Sequence, residues 1–190
     1  MKSVIARFLF ALFGWKLVGE IPTDLKKGVL AVCPHNTWID FPIGLMARGA
    51  MRRKIGYLGK AELFNSPVGF LFKWLGGTPV VRSKNLNMVE SYALTIKNTK
   101  DMLFAIAPEG TRKNVSKLRT GFYYMAVGGE IPILPVGFDF KKKEVIISEP
   151  FMPTGDFEKD MQMYFVPFFK TINRVNKDWI TNYENGIFAK

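Results

Sequence analysis

Val29-Leu30-Ala31-Val32-Cys33-Pro34-His35-Asn36-Thr37-Trp38-Ile39-Asp40-Phe41-Pro42 passes from an apolar run, through a polar loop, to a place where a helix can begin. His35 is the only histidine in the chain, and Asp40 follows five positions later. On one ideal helix, five positions are a rotation of roughly 500°, leaving the two side chains about 140° apart. A strand that ends at Cys33, a loop, and a helix start remove that mismatch. Pro34 disfavours helix before the histidine, and Pro42 suits an N1-type position. His35 then lies on the loop and Asp40 in or just before the first turn, where its carboxylate can fold back to the ring. Such a carboxylate accepts the Nδ1–H bond and leaves Nε2 free to take a proton. Taken alone, the same residues also fit a loop histidine beside a helix-capping aspartate.

Outward from this unit, the chain repeats the alternation. Residues 42–51 read as a helix, Ile55–Leu58 as a strand, and the stretch through Phe70–Trp74 as an apolar helix closed by Gly76-Gly77. Thr78–Arg82 reads as extended. Leu86, Val89, Ala93 and Ile96 space one face of a helix over 84–99. Met102–Ala107 is apolar without alternation, as expected of a strand covered on both faces. A helix near 120–128 and strands at Ile131–Val136 and Glu144–Ile147 follow. From Phe157, apolar residues at Met161, Tyr164, Phe165, Phe168, Ile172, Val175 and Trp179 predict a long amphipathic helix kinked at Pro167. Helices alternating with short apolar strands make this α/β, a single domain with a mixed, mostly parallel sheet flanked by helices.

Composition limits what such a domain does. A chain of 190 residues with 48% apolar content buries a real core and is not a disordered tail. Lysine and arginine outnumber acids 27 to 16, a formal charge of +11 that calls for a polyanionic partner. Nucleic acid is the weakest of these, since no helix-turn-helix, zinc-finger or aromatic-sheet signature accompanies the charge. An anionic membrane surface fits better, given seventeen Phe and four Trp. One cysteine excludes an intrachain disulfide, and one histidine with one cysteine is a poor basis for a zinc site, so no metal is expected.

Residues 1–20 predict a membrane-interface helix. Phe8, Leu12 and Trp15 fall at i, i+4 and i+7, with Lys2, Arg7 and Lys16 able to snorkel to headgroups. The uncharged run Phe8–Trp15 is far short of the roughly 20 residues that span a bilayer, and no small-residue cleavage site follows it. A terminal helix packed on its own domain satisfies the same pattern. The protein is expected at the cytoplasmic face of a membrane, peripheral or monotopic.

Pro108-Glu109-Gly110-Thr111-Arg112 begins where a buried strand stops, the place where α/β sheets gather ligands. Gly110 lets the backbone approach a ligand closely, Thr111 supplies a hydroxyl, and Arg112 a planar fork suited to phosphate. Glu109 can orient an arginine or a ligand hydroxyl; taken alone, the stretch also fits an ordinary turn closed by a surface ion pair. Lys60 and Arg82 each close another strand. Singly each is an ordinary solvated cation, but three cations at strand ends, beside a His–Asp pair at a fourth, are less easily dismissed.

Together these residues resemble the lysophospholipid acyltransferase family, whose members include the 1-acylglycerol-3-phosphate O-acyltransferases. The family's His-x-x-x-x-Asp matches His35 and Asp40. Its Lys-x-Glu-Leu segment followed by Gly-x-x-x-x-Arg matches Lys60–Leu63 and Gly77–Arg82, and Pro-Glu-Gly-Thr-Arg is present at 108–112. An apolar-Pro-apolar-apolar-Pro strand matches Ile131–Val136. The four run in order over roughly residues 29–137.

The resemblance implies a glycerol-3-phosphate acyltransferase-like fold in residues 21–190. It implies transfer of a fatty acyl group from a thioester, acyl-CoA or acyl-carrier protein as co-substrate, to a lysophospholipid hydroxyl. The acceptor would be 1-acyl-sn-glycerol-3-phosphate and the product phosphatidic acid. It makes His35 and Asp40 catalytic, and assigns acceptor binding to Lys60, Arg82, Glu109, Gly110, Thr111 and Arg112. Backbone N–H groups of Ile131–Val136 are implied as the oxyanion site, with no cofactor. Within the family, a lyso-aminolipid or other lysolipid is the rival acceptor. Outside it stand a non-catalytic membrane-surface protein and a hydrolase, the latter without a Gly-x-Ser-x-Gly elbow.

Overall fold

The computed structural model describes residues 2–80, 88–173 and 178–188. In chain order the elements are α1 (Lys2–Leu12), β1 (Lys16–Val18), β2 (Lys27–Cys33), α2 (Asp40–Met51), β3 (Ile55–Lys60), α3 (Ala61–Phe64) and α4 (Gly69–Trp74). Then come β4 (Gly77–Val80), α5 (Met88–Asn98), β5 (Met102–Ile106), α6 (Gly121–Gly129), β6 (Ile133–Asp139) and β7 (Glu144–Ile147). The tail holds α7 (Phe157–Asp160), a π-helical turn (Met161–Phe165), α8 (Val166–Lys170) and α9 (Asp178–Glu184).

Seven strands form one sheet in the order β1-β7-β6-β2-β5-β3-β4. β6, β2, β5, β3 and β4 are mutually parallel, and β7 and β1 run the other way. The sheet is therefore mixed and mostly parallel, as the alternation predicted. Strand β2 shows why the central strands read as unbroken apolar runs. Val29, Ala31 and Cys33 enter the core beneath α5, α6 and the C-terminal helices, whereas Leu30 enters the core beneath α1 and α2. In β5, Phe104 and Leu103 divide in the same way. With both faces covered, period-2 patterning disappears.

Two predicted elements differ. The helix expected over residues 1–20 ends at Leu12, because Gly14 turns the chain at φ 75° and the Trp15 amide bonds back to the Phe10 carbonyl at 2.9 Å. Trp15 is thereby turned into the core against Phe10 and Phe140, and Lys16–Val18 adds a strand beside β7. Pairing to an available sheet edge outweighs three more residues of helix.

The tail is not one helix either. Pro167 has no N–H to continue the ladder, and the chain takes a π-helical turn before restarting at Val166 with the proline in the first turn of α8. Of the residues so spaced, Met161, Phe165, Ile172 and Trp179 are buried, whereas Tyr164 is exposed and Phe168 only half-buried, its neighbour Phe169 taking the core position. Val175, Leu86 and the start of the helix predicted over 84–99 lie outside the described residues.

Candidate active site

β2 and β5 are neighbours, but the chain leaves them in opposite directions. After β2 it crosses one face through α2 towards β3; after β5 it crosses the other face through α6 towards β6. The loops following two adjacent parallel strands thus diverge and leave a crevice at the carboxyl end of the sheet, the usual ligand position in such folds. The first loop carries His35 and leads into Asp40 at the start of α2, and the second carries Glu109 to Arg112. Lys60 ends β3 on the same edge.

Asp40 is the first residue of α2, so His35 stands on the loop and Asp40 in the first turn, as expected. Pro42 falls two residues further into the turn than an N1 position. Asp40 Oδ2 accepts the His35 Nδ1 proton at 3.2 Å, and no described residue hydrogen-bonds Nε2. The carboxylate is held from below by Thr37, whose amide donates to Oδ2 at 2.8 Å and whose hydroxyl donates to Oδ1 at 2.9 Å. Burial raises the Asp40 pKa, but the bonds from His35 and Thr37 outweigh it and leave the group below its ordinary value. Asp40 therefore stays ionised and fixes the imidazole through its Nδ1, leaving Nε2 free for another partner. The His35 side chain is 30% exposed and Asp40 is buried. This is the geometry of a base with its orienting acid.

Glu109 takes a role different from the expected one. Its carboxylate turns inward, where Oε2 accepts the His35 backbone N–H at 2.7 Å, so it clamps the first loop to the second. Burial pushes its pKa up, opposed by that amide and by the His35 charge. The Trp179 indole stabilises the carboxylate as well, although neither Trp179 Nε1 nor Glu109 Oε1 has a hydrogen bond of ordinary geometry. Gly110 has φ 65°, and an added Cβ would meet Arg119 Nε at 2.5 Å. Only glycine lets Arg119 lie across that turn. The Thr111 hydroxyl accepts from the Lys113 amide at 3.3 Å, and Arg112 is exposed. Arg82 lies outside the described residues, as does the side chain of Lys60.

His35 and Asp40 open on a cavity of about 250 Å³ that runs beneath α2. Its walls are apolar, among them Leu30, Val32, Ala47, Ala105 and Phe138, with Arg48 as its one cation. Around the His35 loop, Trp38 and Ile39 are exposed, Trp38 by 70%, and Phe41 is partly exposed while also lining the cavity and packing edge-on against Tyr57. Ile131–Val136, the segment implied as an oxyanion site, runs through the middle of the sheet, paired with β2 and, at its ends, with Phe151 and β7. Cys33 is fully buried, and burial, then the Glu109 charge, raises its thiol pKa, so it offers no nucleophile.

Several features were beyond sequence reasoning: Thr37 under Asp40, Glu109 on the loop amide, Arg119 across Gly110, and the cavity itself. Thr37 alone left a signal, since a threonine three residues before an aspartate at a helix start is a familiar local bonding pattern. The others join residues seventy or more positions apart or depend on packing. Among the described residues, no three His, Cys, Asp or Glu side chains gather to hold a metal.

The chain's fold is similar to that of the 1-acyl-sn-glycerophosphate (LPA) acyltransferase PlsC from Thermotoga maritima, with a TM-score of 0.59, 22% identity, and coverage of 88% of this chain and 75% of that one. No curated protein matches it. The acyltransferase family model matches residues 16–139. That span is well over half of the 190 residues and takes in both loops of the crevice. From the match and the site it encloses, the chain belongs to the acyltransferase family and is an acyl-transferring enzyme.

Proposed function

We propose that this enzyme moves a fatty acyl chain from a thioester, acyl-CoA or acyl-carrier protein, to the free hydroxyl of 1-acyl-sn-glycerol-3-phosphate, giving phosphatidic acid. The observation that carries the reading is the His35–Asp40 pair, 3.2 Å apart, at the mouth of an apolar cavity. His35 Nε2 takes the hydroxyl proton as that oxygen attacks the thioester carbonyl. The tetrahedral oxyanion collapses, the carbon–sulfur bond breaks, and the imidazolium returns the proton to the departing thiolate. Asp40 remains ionised throughout and stabilises the imidazolium. The cavity beneath α2 takes an acyl chain, which water-poor apolar walls favour.

Arg112, with Lys60 and Arg82, binds the acceptor phosphate, and Gly110 and Thr111 shape the turn that presents Arg112. Glu109 acts as a positioning residue through the His35 backbone. Exposed Trp38, Ile39 and Phe41 around the site support work at a membrane surface, where a lysolipid is presented. No described helix is long and apolar enough to cross a membrane. A peripheral or monotopic position on an anionic cytoplasmic leaflet suits the +11 charge.

The test is purified protein with vesicles, both thioester donors and a panel of lysolipids, including lyso-aminolipids, followed by mass spectrometry. Phosphatidic acid with one thiol released per acyl transferred is the expected result. Fatty acid appearing without acylated lipid would make the protein a hydrolase, and vesicle binding without thioester loss would reduce it to a docking protein. Arg112→Ala should weaken phosphate-bearing acceptors selectively; an equal loss with a phosphate-free acceptor would remove Arg112 from anion binding.

A further inference from the structure

A second groove lies on the far side of α2 from the catalytic cavity, enclosed by α1, α2 and α4. Its volume is about 860 Å³, more than three times that of the cavity beside His35. Ile5 and Leu9 of α1, Leu45 of α2 and Trp74 of α4 give it apolar walls. Arg48, Arg52, Arg53 and Lys54 supply every charge in its lining, with no acid among them.

The four cations divide by role. Arg48 Nη1 donates to the Ile55 carbonyl at 2.9 Å and the Leu75 carbonyl at 2.6 Å, tying the end of α4 to β3. Arg53 donates to the carbonyls of Thr23 and Leu25. Both are structural. Arg52 caps α2 in the left-handed conformation, at φ 55°, and Arg52 and Lys54 form no ion pair with a described residue. Two unneutralised cations therefore stand at the rim of an apolar trough.

The surroundings of the groove are apolar as well. Ile5 is 55% and Trp74 64% exposed although both line it. Phe8 is three positions beyond Ile5 and Leu12 three beyond Leu9, so both share that helix face, and both are exposed. Phe70 and Leu71, one turn before Trp74, are exposed too. A water-soluble acidic peptide would gain little from such walls and would leave these rings in water. A molecule with one negative head and a hydrocarbon tail matches both halves.

From this we propose that the groove binds one anionic phospholipid of the membrane, with its phosphate at Arg52 and Lys54 and a chain between α1 and Trp74. Leu45 and Arg48 line both the groove and the catalytic cavity, so the lipid is separated from the active site by two side chains. It is a resident lipid, neither donor nor acceptor. The proposal draws on the membrane reading above for the source of the ligand and does not depend on acyl transfer.

The test uses the full chain and phosphatidylcholine vesicles containing phosphatidylglycerol with brominated chains, read by tryptophan fluorescence. The Trp74 contribution is the quenching lost in Trp74→Phe. That contribution should be present with brominated phosphatidylglycerol and absent when the bromine is on phosphatidylcholine. Arg52→Asn with Lys54→Gln should abolish it and weaken vesicle binding by roughly tenfold or more. Lys141→Gln with Lys142→Gln, an equal change of charge on the β6–β7 turn, should preserve it. Equal quenching by both lipids, or equal loss in both double variants, would reduce the groove to general membrane contact and overturn the proposal. His35→Ala should retain the Trp74 signal, so a failure of the acyl-transfer reading is distinguishable from a failure of this one.

Discussion

On one face of the sheet, Phe122, Tyr123, Phe165, Phe169, Trp179 and Tyr183 fill the space, each 1% exposed or less. On the other, Gly44, Ala47 and Ala105 leave an open cavity beside His35. The first face is built from rings in edge-on contact, such as Phe169 with Trp179 at 5.6 Å and Trp179 with Tyr183 at 5.7 Å. The second uses small residues on α2 and on the strand below it. Dense packing supplies stability, and a deliberate shortage of side-chain volume supplies room for a ligand. The enzyme thus separates the two demands across its own sheet. The link between them is Glu109, which reaches the His35 amide from the turn after β5 with Trp179 behind it.

The largest effect should come from His35→Ala. Loss of a general base costs about 10²- to 10⁴-fold in kcat, and because the ring is partly exposed, the urea midpoint should hardly move. Near-normal turnover would end the dyad mechanism and leave the open face without its chemistry.

Trp179→Ala should show the opposite profile, a loss of about 3–5 kcal/mol measured by urea unfolding. A loss below about 1 kcal/mol, under the usual cost of a buried large-to-small change, would mean that the aromatic face is not the stabilising one.

A smaller change should follow Ala47→Leu, which adds bulk to the cavity wall at a cost of about 1–3 kcal/mol. Preference among donors should shift to shorter acyl chains. An unchanged preference would place the acyl chain elsewhere.

Smallest is the pH dependence of stability set by the two buried carboxylates. Glu109 has a folded pKa above its ordinary value of 4.5, so its contribution is full below that pH and lost as pH rises through the folded value. Asp40 is lowered from 3.8, so its contribution is present above that pH and lost as pH falls through the folded value. Glu109→Gln, which keeps an acceptor for the His35 amide, should gain stability relative to wild type as pH rises above 4.5. A parallel pair of stability curves would show that Glu109 does not carry the burial penalty assigned to it.

Much of this was legible from residues alone. Val29–Cys33 and Met102–Ala107 announced central strands because both of their faces are covered, and the loop-then-helix reading of His35 and Asp40 matches the observed start of α2. Errors fell where a distant neighbour decided the outcome. Nothing in Lys16–Val18 says strand until β7 is available beside it, and Pro167 implies a break without saying that the helix will widen to a π turn before it. Glu109 looked like a ligand group because its target, a backbone amide 74 positions away, leaves no mark in the sequence.

The sequence by itself determined the α/β class, the family and the His–Asp pair, since these rest on residue type, short spacing and local backbone preference. Only the tertiary structure decided that Glu109 clamps the loop carrying His35, that Arg119 covers Gly110, and that an apolar cavity lies beside His35 and a separate groove beyond α2. Volume left unfilled between elements depends on how their side chains meet, and no local rule along the chain encodes it.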